Sequence, residues 1–160
     1  MPPLSKQQLK DELLAILTRD LETLVRAHEQ ASAGATHEEA KPENDKDTRA
    51  LEQSYLARGQ ARRVAELQAA LLEVEAMVIR DFAQDQPIAV GALVTIEEGD
   101  SSSKLFMAAH GGGSLLADGT VQVVSIKSPL GRALLGKRSG DDCDVRLPER
   151  LRELSIASVE

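Results

Sequence analysis

The sequence predicts an α+β chain, an N-terminal antiparallel α-helical coiled-coil hairpin followed by a β-rich domain. Three observations predict it. Apolar residues recur at steps near three and four over residues 4–33 and again over 47–82, which is the spacing of a heptad seam. A polar stretch carrying Gly34, Thr36 and Pro42 separates the two runs, and so short a link favours antiparallel neighbours. From Pro87 onward the helical period is lost, and short apolar strands bracket a single capped helix.

The first helix spans residues 4 to about 33. Ser5 with Gln8 matches a capping box, which satisfies backbone N–H groups at a helix start. Its seam is Leu9, Leu13, Ile16/Leu17, Leu21, Leu24, Ala27 and Ala31. Gly34 to Lys46 is the linker at the tip. The second helix starts at Asp47 or Thr48 and runs to about Phe82, with a seam of Ala50, Ala57, Ala61, Val64, Leu67/Gln68, Leu71, Val74 and Val78. Small residues early in that seam, with Gly59 among them, predict the weakest packing near the tip. Residues 83–89 mark the boundary, so 1–82 form the hairpin and 83–160 the second domain. Strands are predicted at 92–96, 101–109, 121–126, 143–148 and 151–159, with Leu151, Leu154, Ile156 and Val159 as the apolar members of the last. Gly111-Gly112-Gly113 reads as a hairpin loop. Between two of the strands, Ser128 can cap a helix and Pro129 suits its first position. Leu130, Leu134 and Leu135 share a face, and Gly136 can take the left-handed conformation that ends the helix.

Composition narrows the function classes. The 160 residues carry a formal charge of −7 and only 2% aromatics. The core must therefore rest on aliphatic residues, and phosphate repulsion argues against nonspecific binding to bare DNA. Cys143 is the single cysteine, which excludes an internal disulfide and a cysteine-based zinc site. His28, His37 and His110 form no HExxH pattern, and no Ser-His-Asp or Cys-His order stands out, so a free-standing enzyme is not expected. The start of the chain has no signal-peptide core, and no apolar run approaches the roughly 18 residues a membrane helix needs. The expectation is a soluble, cytoplasmic protein with no membrane partner.

The run Ser128-Pro129-Leu130-Gly131-Arg132-Ala133-Leu134-Leu135-Gly136-Lys137, followed by Gly140-Asp141 and the strand Val145-Arg146-Leu147-Pro148, resembles the C-terminal domain of the bacterial Gre transcript-cleavage factors, GreA and GreB. The resemblance implies an FKBP-like fold for residues 83–160. It also implies docking on RNA polymerase around Ser128, Pro129, Leu130, Gly131 and Arg132, with the coiled coil inserted into the secondary channel. An FKBP-like fold raises the possibility of prolyl isomerisation, which needs an aromatic-lined pocket. Phe106 is the only aromatic residue after Phe82, so a docking role is expected instead.

Two further sites follow from the same resemblance. Acidic residues at the Gre tip help hold a Mg²⁺ shared with the polymerase active site, and the isolated protein binds none. Oxygen ligands suit this hard cation, and one or two carboxylates suffice in a shared site. The matching residues here are Asp45 and Asp47, with Glu43 behind them. Arg58, Arg62 and Arg63 match the basic patch that meets the nascent RNA 3′ end. A monomer is expected. The tip departs from the family pattern Asp-Leu-x-Glu-Asn-Ala-Glu-Tyr, reading Glu43-Asn44-Asp45-Lys46-Asp47-Thr48-Arg49-Ala50-Leu51-Glu52. Other readings therefore stay open. Asp47 or Thr48 could simply cap the second helix. The arginines could be a solvated face paired with Glu52 and Glu66. The whole protein could be a channel binder that modulates or inhibits transcription without stimulating cleavage, or a coiled-coil adaptor for another protein.

Overall fold

The computed structural model describes residues 4–39 and 44–160, with the backbone alone at 34–39, 44–50 and Gln53. Two long helices, α1 (Lys6–Glu39) and α2 (Asn44–Glu75), precede a six-stranded mixed sheet that carries one short helix. The chain divides into two compact units. One is the hairpin Ile16–Leu72, and the other joins Glu73–Glu160 to the start of the chain as far as Ala15.

Within the hairpin unit the seam of α1 follows the heptad pattern. Leu17 and Ala31 are buried, and Ile16, Leu21, Leu24 and Ala27 are half-buried. The seam of α2 is shifted by one residue in its middle. Ala61 is exposed and Gln60 is half-buried in its place, between the half-buried Ala57 and Val64. The α2 seam thus takes a polar side chain whose Oε1 is buried without a partner, and His28 Nδ1 on α1 is likewise unpaired. Each such group costs about 1–3 kcal/mol of unrecovered solvation. With Ala27, Ala31 and Ala57 as the neighbouring apolar members, this stretch of the hairpin is held by little apolar area.

Both helices extend further toward the tip than predicted. α1 continues through Glu39 and α2 begins at Asn44, so most of the expected linker is helical backbone. At its other end α2 stops at Glu75, well short of Phe82. The reason lies in the second unit. Lys10 Nζ donates 2.8 Å hydrogen bonds to the carbonyls of Glu75 and Met77, satisfying helix-end acceptors that have no partner within the helix. The chain beyond runs without helix, which buries Met77 and Phe82 and turns Val78 out to 72% exposure. Lys6 and Arg80 lie over the Phe82 ring at 4.9 and 4.7 Å from its centroid, and Lys6 Nζ also donates to the Arg80 carbonyl. Burial lowers the Lys6 ammonium below the usual lysine value, with Asp81 and Glu160 opposing that shift and Arg80 reinforcing it.

The strands are β1 (Leu93–Glu98), β2 (Ser101–Ala108), β3 (Leu115–Leu116), β4 (Val121–Ser125), β5 (Asp142–Arg146) and β6 (Leu151–Val159), in the order β3-β4-β2-β1-β6-β5. β2 and β4 are parallel and every other pair is antiparallel. Parallel neighbours cannot be joined by a tight turn, so Gly111–Gly113 is not the turn of a β2–β4 hairpin. It leads into β3, a strand too short to register as a periodic pattern, which then pairs with β4. Leu151, one of the apolar members of the predicted last strand, is 49% exposed at the start of β6. Alternation along β2 sends Leu105 and Met107 into one core cluster with Val94, Ile96, Val124, Leu134, Cys143, Val145, Leu154 and Ile156. Phe106 and Ala108, also fully buried, point to the opposite face.

The β3–β4 turn is closed by Gly119 N–H donating to the Leu116 carbonyl at 3.1 Å, with Ala117 and Asp118 at φ 50° and 55°. That is a left-handed hairpin turn, which normally recruits Asn or Gly at its first central position. Glu12 Oε2 accepts from the Ala117 N–H at 2.9 Å and helps fix the turn. Ala117→Gly removes a Cβ from an unfavourable region. It should raise stability by about 0.5–1 kcal/mol, read as a higher urea midpoint with an unchanged m-value.

Candidate functional site

Ser128–Lys137 forms the third helix, α3 (Pro129–Leu134), with its flanks. Ser128 is the N-cap in extended backbone conformation and Pro129 opens the helix, as the sequence predicts. Ser128 Oγ accepts from the Gly131 N–H at 3.0 Å and donates to the Ser125 carbonyl at 2.7 Å. One hydroxyl thus serves both the helix start and the end of β4. Gly131 explains why the helix can sit there. A Cβ built on it would lie 1.9 Å from Ser125 O and 2.9 Å from Ile126 Cα, so the helix backbone rests directly on the chain leaving β4.

The far end of the motif is equally tied down. Gly136 has φ 82°, its N–H donates to the Ile88 carbonyl at 3.0 Å, and the Ile88 N–H donates to the Lys137 carbonyl at 2.8 Å. Leu134 is fully buried, while Leu130 and Ala133 pack against the core partly covered. Cys143 Sγ donates to the Ala133 carbonyl at 3.4 Å, and burial pushes its thiol upward in pKa. That is the setting of an inert packing cysteine.

The predicted docking residues therefore separate by what they do. Gly131 is buried and Ser128 spends its hydroxyl on the fold, so neither presents free chemistry. Pro129 and Arg132 are exposed and Leu130 is half-buried. Two residues of the same motif are also on the surface: Leu135, at 37% exposure, and Lys137. The sequence placed Leu135 on the apolar face with Leu134. The left-handed Gly136 that follows it ends the helix and leaves Leu135 outward.

Of the tip candidates, Glu43 lies outside the described residues. Asp45 and Asp47 fall in the first turn of α2, and their side chains also lie outside the described residues. The helix begins at Asn44, so the expected capping position at Asp47 or Thr48 lies inside it. Arg58, Arg62 and Arg63 are all exposed on α2. Arg58 and Arg62 share one face at a spacing of four, whereas Arg63 sits about 100° round from Arg62. Arg62 Nε lies 3.4 Å from Glu66 Oε1, with the two side chains 83% and 66% exposed. Such a pair is worth little and is easily exchanged.

His110, before the glycine loop, lies 2.9 Å from Glu73 Oε2 through Nε2, at ion-pair distance but off the line of a hydrogen bond. No group of three or more metal-binding side chains occurs among the described residues. The one aromatic residue of the sheet, Phe106, is fully buried, so it lines no prolyl pocket. No described helix is long and apolar enough to cross a membrane.

The α3 geometry separates two substitutions that look equally mild. Ser128→Ala removes the cap and should cost about 1–2 kcal/mol. Gly131→Ala forces α3 off β4 and should cost more, roughly 3 kcal/mol or above. Chemical denaturation of both variants reads the difference.

The family described as "Transcription elongation factor, GreA/GreB, C-term" matches residues 83–160. The transcription elongation factor GreA of Streptococcus pneumoniae serotype 4 is 32% identical over 157 residues, covering 97% of this chain and 91% of the relative. GreA of Acinetobacter baumannii is 28% identical over 160 residues, covering 100% and 96%. Among solved structures, the GreA factor homolog 1 (Gfh1) protein of Thermus thermophilus is 21% identical with a TM-score of 0.40, covering 92% of this chain and 94% of that one. At that score the likeness carries no weight of its own. The sequence relationship is sufficient, because it runs along nearly the whole of both chains at above 30% identity in the first case, and the chain belongs to the GreA/GreB family of transcription elongation factors.

Proposed function

We propose that this protein binds RNA polymerase through residues 83–160, inserts its coiled coil into the secondary channel and stimulates cleavage of backtracked RNA. The observation that carries this reading is the length of the similarity. It covers 97% of the chain, so the hairpin is related to its counterparts in GreA and is not an unrelated extension of a docking domain. The protein is not itself an enzyme. It supplies groups to an active site that belongs to the polymerase.

Each part of the molecule has its share of that work. The docking contact is made by the side chains of the Ser128–Lys137 motif that the fold does not consume, namely Pro129, Arg132, Leu135 and Lys137, with Leu130 beneath them. Docking that carries most of the affinity suits a surface mounted on a rigid short helix. The tip brings Asp45 and Asp47, with Glu43, as oxygen donors. A Mg²⁺ held partly by them and partly by the polymerase would supply charge neutralisation and an activated water at the scissile phosphate. Arg58 and Arg62, exposed and weakly engaged, are the groups for the phosphates of the extruded RNA 3′ end, with Arg63 flanking them.

A second reading is favoured by the tip sequence. Glu43-Asn44-Asp45-Lys46-Asp47 interleaves a lysine with its acids and lacks the leucine and tyrosine of the family pattern. A protein that docks and inserts but coordinates Mg²⁺ poorly would occupy the channel and slow nucleotide addition.

Two expected outcomes follow. Added to a stalled, backtracked polymerase complex with Mg²⁺, the protein should shorten the RNA. Asp45→Ala combined with Asp47→Ala should reduce that rate about 100-fold or more, the scale set by losing positioned transition-state ligands. A stable complex with slowed elongation and no shortening would favour the second reading. Reversing the charge at Arg132 (Arg132→Glu) should weaken polymerase binding roughly tenfold with the thermal midpoint unchanged, as measured by titration of labelled protein.

A further inference from the structure

We infer that Tyr55 is a base-stacking residue for single-stranded RNA, at the centre of an outward stripe on α2 formed by Leu51, Tyr55, Arg58 and Arg62. The inference deepens the proposed function and rests on it, because it assumes that the hairpin meets extruded RNA.

The positions 51, 55, 58 and 62 are spaced by four, three and four, so they form one ridge along a helix. The half-buried residues Ala57, Gln60, Val64, Leu67 and Leu71 lie on the opposite side of α2. The ridge therefore faces away from the seam. Nothing in hairpin packing requires an aromatic residue there. Yet Tyr55, the only tyrosine in a chain with 2% aromatics, stands at 59% exposure, with Leu51 at 51% beside it. The Arg58 guanidinium lies 5.2 Å from the Tyr55 ring centroid. This fixes the ring over the helix surface and places a positive charge within reach of whatever stacks on it. One turn further along, Arg62 is paired with the solvated Glu66.

An exposed aromatic ring flanked by guanidinium groups is the arrangement that holds single-stranded nucleic acid: the ring stacks on a base of any identity and the cations meet the phosphates. Charge favours RNA over an apolar partner. The chain as a whole carries −7, while the four ridge positions hold two arginines and no carboxylate, with the exposed Glu52 to one side and Glu66 a turn beyond. Duplex DNA is a poor fit, because its bases offer no open face to a single tyrosine. An intrahelical Tyr–Arg contact alone would stabilise the helix but would make no demand on aromaticity in a functional assay.

The test uses the full-length protein bound to RNA polymerase and a backtracked RNA carrying 4-thiouridine at its 3′ end, irradiated to crosslink. Wild type should crosslink to the RNA. Tyr55→Ala should lose about tenfold of the yield, whereas Tyr55→Phe and Tyr55→Trp should retain it, with helicity unchanged in all three. A Tyr55→Ala variant that crosslinks like wild type overturns the stacking role and leaves the RNA-contact reading standing. Loss of polymerase co-purification in Tyr55→Ala, with wild type still co-purifying, would make the ridge a protein contact and overturn the stacking role. A wild-type protein that neither co-purifies nor crosslinks overturns the functional reading and this inference together.

Discussion

The contact on which the second domain turns is the one with no side chain in it. α3 approaches the end of β4 so closely that Gly131 has no room for a Cβ against the Ser125 carbonyl. Ser128 bridges the same carbonyl to the helix start. Once the helix is seated there, its remaining positions are assigned. Leu134 must enter the core, Gly136 must turn left-handed, and its N–H must find Ile88. Residues 88 and 136–137 are thereby paired, which anchors the segment entering β1. The motif that marks the family is thus read twice. Its small and apolar members build the seat, and its outward members, Pro129, Arg132 and Leu135, form the surface that the seat presents.

The start of α1 and the end of α2 are tied by a single side chain. α2 has no basic residue in its last turn, and of its last carbonyls Val74 accepts from the Met77 N–H at 3.1 Å. Lys10 of α1 supplies the missing cation. That long-range cap explains a misreading of the sequence. Val74 and Val78 are four apart and continue the heptad, and Pro87 is too distant to end a helix near Glu75. Only a lysine 65 residues away in the chain shows where the helix stops. The compact units divide at 72 and 73 and group the start of α1 with the sheet, while the family match begins at residue 83.

What was legible shares one property, that it is local. The seam of α1, the capped helix at Ser128–Gly136 and five of the strands follow from spacing within a few residues. What was missed depends on partners elsewhere. The parallel pairing of β2 with β4 leaves no trace in either strand. β3 is two residues long, below any periodic signal. The burial of Gln60 over Ala61 in the seam inverts the ordinary preference for apolar burial. At the candidate site, the identities of the motif residues were readable from resemblance. Their division into buried and presented groups was not, because Gly131 and Arg132 are equally prominent in the motif and opposite in exposure.

The three aromatic residues show how the chain distributes scarce bulk. Phe106 is wholly buried in the sheet and lines no open pocket. Phe82 is buried between Lys6 and Arg80, within the sheet unit. Tyr55 alone is presented to solvent, again with a cation on its ring. Burial accounts for the first two. An exposed ring gains little from stability, since a surface cation–π contact is worth only about 0.5–1 kcal/mol. A chain that uses aromatics so sparingly, and then leaves one on the outer ridge of a helix beside two arginines, has placed it where a partner's flat face can use it.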